Sequence, residues 1–288
     1  MQSMDGKTCL VTGGTNGIGK QTALELAKLG ATVVIVGRNR QKTAEVVTEI
    51  KAAAGHNQVE GLIADLSLME QVRHLTEEFK AKYRELHVLI NNAGAIFFEK
   101  QMTAEGHEMT FALNHLSYFV LTNLLLEMLK ASAPARVINV SSGAHRMGRL
   151  DFNDLEFNRG YAGFRAYGRS KLMNIIFTYD LAERLHGTGV TVNALHPGFV
   201  RTGFGKNTQS NLIKWVFGGI QRLALKPEDG AQTSVYLASS PEVEGLTGKY
   251  FHQKQPVKSS AESYQKDHWR RLWEVSAQIT GVGELERA

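Results

Sequence analysis

The chain has 288 residues, of which 43% are hydrophobic and 8% aromatic, ample for a core of one or two domains. Its net charge of +5 arises from Lys and Arg spread along the chain rather than gathered in a block, which suits solubility and attraction for an anionic cofactor and speaks against a nucleic-acid surface. The single cysteine, Cys9, excludes an internal disulfide, and no run approaches the roughly 18 apolar residues of a membrane span.

Thr8–Thr12 reads as a short apolar strand, with Cys9 as a packing residue inside it. The chain then runs Gly13-Gly14-Thr15-Asn16-Gly17-Ile18-Gly19, and Thr22–Leu29 has a helical apolar period that stops at Gly30. Strand, glycine loop and helix together aim backbone N–H groups and a positive helix end at a phosphate. The glycine spacing departs from the G-x-G-x-x-G dinucleotide pattern. Gly14 with four residues to Gly19-Lys20 nearly makes a triphosphate loop, but Gln21 stands where Ser or Thr would hold magnesium, so a nucleotide triphosphatase is the outside reading.

The second strand, Thr32–Val36, leads into Gly37-Arg38-Asn39-Arg40. An acid at the place of Gly37 would hold a ribose 2′-hydroxyl. A glycine followed by Arg38 suits a 2′-phosphate instead, which a guanidinium grips with two parallel hydrogen bonds; Arg40 or Lys42 could share that role. Further along, Val59–Ile63, Val88–Asn91, Arg136–Val140, Thr191–Leu195 and, less clearly, Lys249–Phe251 read as strands, while Arg40–Ala53, Leu68–Tyr83 and Phe111–Leu129 carry helical periodicity. Such alternation predicts a parallel sheet with helices on both faces and ligands outside the carboxyl ends of the strands. Without a linker or low-complexity segment, residues 1–288 are expected to form one domain.

Tyr167 and Lys171 lie four residues apart, which on a helix puts them on one face, one turn apart. A positive charge beside the phenol favours its ionised form and pulls its pKa toward neutrality, where it can exchange a proton with a substrate oxygen. The histidines show no metal-ligand spacing, and His196 beside Pro197 reads as a structural strand-end residue. The one G-x-S-x-G candidate, Gly168 to Leu172, lacks its last glycine, which disfavours a serine hydrolase.

With these motifs in this order, the chain resembles the short-chain dehydrogenases/reductases from about Gly6 to about Tyr250. Thr12 to Gly19 matches the family's T-G-x-x-x-G-x-G, and Asn91-Asn92-Ala93-Gly94 its N-N-A-G. The serine ending the fifth strand matches Val140-Ser141-Ser142, followed by Y-x-x-x-K at Tyr167 and Lys171 and by P-G at Pro197-Gly198. The flanking segments Ser141 to His145, Ser170 to Asn174 and His196 to Gly198 are similar to the retinol-dehydrogenase-like branch.

The resemblance implies a Rossmann-type, doubly wound parallel sheet of about seven strands. It also implies a catalytic set of Asn114, Ser142, Tyr167 and Lys171, in which Ser142 orients the substrate oxygen, Lys171 also holds the nicotinamide ribose, and Asn114 holds a water on the proton path. Alternation along the fifth strand turns Ser141 and Ser142 in opposite directions, and the family's serine corresponds to Ser142. Cofactor contacts are implied at Gly13, Thr15, Asn16, Gly17, Ile18, Gly19, Arg38, Asp65, Leu66, Asn92, Ala93, Gly94, Tyr167, Lys171, Pro197, Gly198, Val200 and Thr202. NADP(H) is the expected cofactor, with NAD(H) as the alternative.

The 25-residue gap between Ser142 and Tyr167, with Met147, Leu150, Phe152, Tyr161 and Phe164, reads as a pocket wall, its Asp151–Asn158 part equally as a surface excursion. A substrate lid is expected at about 203–225. At the C-terminus a helix of about 262–280 packs Trp269, Leu272, Trp273 and Ile279 inward. With Phe97 and Phe98, these groups favour a bulky apolar carbonyl or alcohol substrate. Retinol dehydrogenases often carry an N-terminal membrane anchor; this chain opens almost directly on its first strand, so a soluble cytoplasmic enzyme is expected, as monomer or homo-oligomer. The rival function is a non-catalytic dinucleotide-binding sensor or scaffold.

Overall fold

The computed structural model describes residues 1–198 and 226–283. Its strands are β1 Thr8–Thr12, β2 Thr32–Gly37, β3 Val59–Ile63, β4 Val88–Asn91, β5 Ala135–Val140, β6 Val190–His196, β7 Lys249–His252 and β8 Gln255–Pro256. They form one eight-stranded sheet in the order β3-β2-β1-β4-β5-β6-β7-β8. All pairings are parallel except β7 with β8. The strand beyond the expected seven is this last, two-residue antiparallel return, too short to leave a period in the sequence.

The central strands are continuous apolar runs because helices cover both of their faces. Side chains alternate: Leu10 of β1 enters the core on one face, while Cys9 and Val11 enter the core on the other. Burial pushes the Cys9 thiol up to about 12, as befits an inert packing residue. Helices α1 Gly17–Lys28, α2 Arg40–Ala54 and α7 Pro227–Ser239 bury their apolar stripes on the Cys9 side. Helices α3 Met69–Lys82, α5 Ser117–Ala131 and α6 Gly163–Arg184 do so on the Leu10 side, and α8 Lys266–Thr280 adds Trp269, Leu272 and Trp273 to the same core. The C-terminal helix thus starts at Lys266; residues Ala261–Tyr264 form a separate 3-10 turn before it.

A short helix α4, Met109–Phe111, runs through a π-turn, Ala112–Leu116, into α5. By length and composition Met109–Ala131 could cross a bilayer, with mean hydropathy 1.3 over its most apolar 18 residues, but 78% of those residues are buried inside the fold, as in a core helix.

Strand order reverses at β1, which has β2 on one side and β4 on the other. In open parallel sheets the crevice beyond the carboxyl ends at such a switch point is where ligands bind. The glycine loop leaves β1 there, and Asn92-Ala93-Gly94 leaves β4 beside it.

Candidate active site

The floor of this crevice is stapled across 80 residues of chain. Thr12 Oγ1 accepts from the backbone N–H of Asn92 at 2.8 Å and of Ala93 at 3.0 Å. In return the Asn92 amide donates to Thr12 O at 2.8 Å and Gly13 O at 3.4 Å. Gly13 needs to be glycine twice over: its φ is +64°, and a Cβ would lie 2.9 Å from Ala93 Cα. A Cβ on Gly19 would collide with the Asn92 amide and Gly13 O.

Above this floor is a cavity of about 270 Å³ lined by Gly13, Asn16, Gly17, Ile18, Gly19, Asn92, Ala93, Gly94, Tyr167, Lys171 and Pro197, together with Ala95, Ile96, Val140 and Ser141. Most of the residues expected to touch a dinucleotide are therefore brought together. Five others lie along the same carboxyl edge without lining the cavity. Thr15 sits against Gly37, where any added Cβ would meet the Thr15 methyl and approach Thr43 Oγ1 to 2.5 Å. Arg38 is exposed beside it. Asp65 accepts from Ser67 N at 3.0 Å and Ser67 Oγ at 2.7 Å, holding the turn after β3, and Leu66 is a core residue. Gly198 follows Pro197 with φ +86°. Val200, Thr202 and the expected lid at about 203–225 lie outside the described residues.

The second wall comes from α6, which places Tyr167 and Lys171 on its inward face, both buried. Lys171 Nζ donates to Val140 O at 2.9 Å and lies 5.6 Å from the Tyr167 ring centroid and 5.7 Å from that of Tyr118. The Ser142 hydroxyl stands near enough to the Tyr167 phenol to pull its pKa down. Ser141 turns the other way, its Oγ donating to Lys171 O at 2.7 Å and tying β5 to the helix. Ser142 is thus the serine that meets the tyrosine.

The protonation balance differs from the sequence expectation. Burial pushes the Tyr167 phenol up to about 12, with Ser142 pulling it down against that, and burial drives Lys171 down to about 7. Desolvation disfavours both charged forms and outweighs the help that Ser142 gives the phenolate.

Asn114 lies in the π-turn, fully buried. Its Oδ1 accepts from Ala95 N at 2.9 Å, and its Nδ2 donates to Ala95 O at 2.9 Å and Ser170 Oγ at 3.0 Å. Both amide protons are thereby used, and Ser170 Oγ passes its own proton to Tyr167 O at 2.8 Å. In this structure the Asn114 side chain binds the Ala95 backbone to α6. A Cβ on Gly94 would lie 3.1 Å from Asn114 Oδ1 and 3.2 Å from Lys171 Nζ, so glycine there lets the β4 loop approach both.

The segment between Ser142 and Tyr167 divides. Tyr161 Oη donates to Phe97 O at 2.8 Å, and Phe164 meets Phe98 edge-on at 5.5 Å, so these aromatics do stand together near the site. Phe152 and Leu150 do not join them. Phe152 packs against His268 and Arg271 of α8, and Leu150 against the core, because the chain here crosses the C-terminal helix first. Met147 is 59% exposed.

The family model of short chain dehydrogenases matches residues 7–212. The chain belongs to the short-chain dehydrogenase family. Among its relatives, human retinol dehydrogenase 14 is 41% identical over 97% of this chain and 88% of its own length. Mouse retinol dehydrogenase 12 is 42% identical over 96% of this chain and 87% of its own. An uncharacterized protein from Mycobacterium paratuberculosis superposes with a TM-score of 0.81 at 31% identity, over 99% of this chain and 97% of that one. A short chain dehydrogenase from Burkholderia cenocepacia in complex with NADP gives 0.68 at 26% identity, over 87% and 97%.

As a short-chain dehydrogenase of the retinol-dehydrogenase-like branch, the protein is an oxidoreductase of the alcohol/carbonyl couple using a nicotinamide dinucleotide. The residues present fit that cofactor. Glycines 13 and 19 clear a backbone cradle at the N-terminus of α1, which Gly17 opens with φ +51°, and a pyrophosphate is favoured there.

Sequence reasoning passed over residues that hold the site without touching its cavity. Ser170 and His145 stand out in the sequence only through a failed hydrolase pattern and the segments similar to the retinol-dehydrogenase-like branch, and His196 reads there as a structural strand-end residue. Its Nδ1 accepts from Gly143 N at 3.1 Å, next to Ser142. The signal available was its place one residue before Pro197-Gly198.

Proposed function

We propose that the protein is an NADP(H)-dependent oxidoreductase that interconverts a bulky apolar ketone or aldehyde and its alcohol, with Tyr167 as general acid/base. The observation that carries this reading is Tyr167, with Ser142 near enough to lower its pKa, at the edge of a glycine-floored cavity that also admits Lys171. A carbonyl oxygen placed between the two hydroxyls accepts a hydrogen bond from Ser142 and a proton from Tyr167. The nicotinamide, when bound, supplies or takes the hydride. Lys171 is held by Val140 O at the end of β5, so its charged form lies under the phenol and favours phenolate as the proton leaves. Asn114 keeps the Ala95 backbone and α6 in register for this exchange.

The NADP preference is supported by Gly37 and Arg38. A side chain at position 37 would run into Thr15 and Thr43, so no acid fits there to hold a ribose 2′-hydroxyl, while the exposed Arg38 can take a 2′-phosphate. The relative from Burkholderia cenocepacia in complex with NADP adds to this. Bulky apolar substrates are supported by the Phe98–Phe164 pair and by Ile96 in the cavity lining, and the names of the retinol dehydrogenases agree. A cytoplasmic location, with residues 1–288 as one domain, completes the proposal. It is supported by burial of Met109–Ala131 in the core, and recovery of the protein in salt-washed membranes would overturn it.

The test is NADPH absorbance against a panel of aryl ketones, retinal-like aldehydes and small keto acids, with Tyr167→Phe in parallel. Wild type should prefer the bulky apolar members, and Tyr167→Phe should bind NADPH yet lose about 10²–10⁴-fold in turnover. Near-normal turnover by that variant would remove Tyr167 from the mechanism, and preference for a small keto acid would reverse the substrate class.

A further inference from the structure

Two histidines close on a single peptide group beside the site. The Ser142–Gly143 peptide accepts at its carbonyl oxygen from His145 Nδ1, at 2.7 Å, and donates from its N–H to His196 Nδ1, at 3.1 Å. Backbone donors settle both tautomers. Ser260 N–H donates to His145 Nε2 at 3.1 Å, so that nitrogen is bare and the neutral ring carries its proton on Nδ1, facing Ser142 O. Gly143 N–H requires a bare Nδ1 on His196, whose proton then sits on Nε2. One ring gives a hydrogen bond to the peptide and the other receives one. A second proton on either would cost a bond, from Ser260 to His145 or from Gly143 to His196.

The packing fits this arrangement closely. A Cβ on Gly143 would meet three atoms of the His196 ring, at 3.3 to 3.7 Å, so the glycine lies against the face of that ring. His196 stacks on His252 of β7 at 4.9 Å, and His145 meets the Tyr250 ring, also on β7, edge-on at 4.9 Å. Among the described residues, the titratable and charged groups acting on the pair are each other, Arg146 after β5, and His252 and Tyr250 from β7; none is a carboxylate. Burial and these neighbours hold both rings neutral. The Ser142 hydroxyl in turn accepts from Ala144 N at 3.2 Å, so its direction follows the backbone that the rings grip.

We infer that His145 and His196 are positioning residues for the reaction, a donor and an acceptor that fix the Ser142–Gly143 peptide plane so that the Ser142 hydroxyl meets Tyr167. This rests on the roles proposed above for Ser142 and Tyr167. Neither histidine touches the reacting atoms; each acts through the peptide.

His196→Phe keeps a ring to stack on His252 and removes the acceptor, whereas His196→Asn returns an acceptor oxygen near the place of Nδ1. Small misplacements of reacting groups cost up to about 100-fold, so His196→Phe should lower kcat about 10- to 100-fold with the NADPH Kd, read by fluorescence titration, within about threefold of wild type. His196→Asn should recover most of that loss and stay active at a lower pH than wild type, having only the His145 imidazole of the pair left to protonate. Wild-type kcat in His196→Phe, or an Asn variant no better than the Phe variant, would overturn the inference. Should His196→Phe fail to fold, the acid limb of His196→Asn decides: an extended limb supports the clamp and an unchanged one overturns it. Tyr167→Phe, assayed alongside, separates the two layers. If it is inactive while His196→Phe is normal, only the clamp fails; if it turns over normally, the underlying reading has failed.

Discussion

Arg38 occupies the first position after β2 from which a side chain can reach the crevice, since Gly37 has none to offer and no room for one. Hydrogen bonds to charged groups contribute about 1.5–3 kcal/mol, so Arg38→Ala should raise the KM for NADPH roughly 10- to 150-fold while leaving that for NADH nearly unchanged. Initial rates with the two cofactors check this, and an equal effect on both would remove Arg38 from 2′-phosphate recognition. The missing acid at position 37 was legible in the sequence. The collision with Thr15 and Thr43 was not, because it depends on how closely the glycine loop passes the end of β2. The Tyr167–Lys171 spacing was equally legible, but the direction of the tyrosine's shift was not. Spacing shows that two groups share a helical face, whereas the balance between charge and desolvation is decided by everything packed around them. Here burial prevails, and the phenol rises to about 12.

Between elements, the decisive contact is backbone against backbone. A Cβ on Gly168 would lie 2.8 Å from Ala144 O, and one on Gly148 would lie 2.6 Å from Gly168 O. The 3-10 turn after β5, Gly143–Met147, thus beds directly on α6 one residue beyond Tyr167, and this sets the Ser142-to-Tyr167 distance. Gly168→Ala should push the turn off the helix. Overpacking costs typically about 1–3 kcal/mol, and here the displacement falls on Ser142 and Tyr167, the proposed catalytic pair. We expect a lowered melting temperature together with a loss of kcat much larger than in a surface Ala substitution; unchanged kcat would mean that the turn can shift without moving Ser142. Periodicity revealed Phe111–Leu129 as helical, yet it could not show the π-turn at Ala112–Leu116, because a wider turn over five residues barely disturbs an apolar stripe. Asn114 sits in that turn, where its amide reaches both Ala95 and Ser170. Leu150 and Phe152 show the opposite limit. Their apolarity was visible, but which of two buried surfaces they would join depends on where α8 lies, more than 100 residues later.

For the molecule as a whole, several histidines are buried in neutral form. Burial lowers His115 to about 3 and His196 to about 4, and lowers His87 and His145 as well. Each binds its proton more readily in the unfolded chain, near the ordinary value of about 6.5. Their contribution to stability is therefore complete above about pH 6.5 and is lost as pH falls toward the folded values, each adding up to about 1.4 kcal/mol per pH unit to the slope. Thermal melts should show a steady fall between about pH 6.5 and 4. A flat profile would mean that these rings are already hydrated. At the far edge of the Leu10-side core, Trp273 stands edge-on to Phe119 at 5.0 Å, lies under Arg184 at 3.8 Å and donates to Gly283 O at 2.7 Å. Trp273→Ala should cost about 3–5 kcal/mol by urea unfolding, whereas a change below about 1 kcal/mol would show α8 to be a dispensable cover. The doubly wound order was readable because each strand and helix has its own period; the two-residue β8 was not, having none. The Thr12–Asn92 staple carries a further consequence, for the order of assembly. The phosphate cradle is encoded within the first 20 residues, but it becomes rigid only when a segment 80 residues downstream has docked beside it, and loops of that length close late. Cofactor capture thus marks the end of the nascent chain's search for its topology, so a molecule able to hold a dinucleotide has already joined the two halves of its sheet.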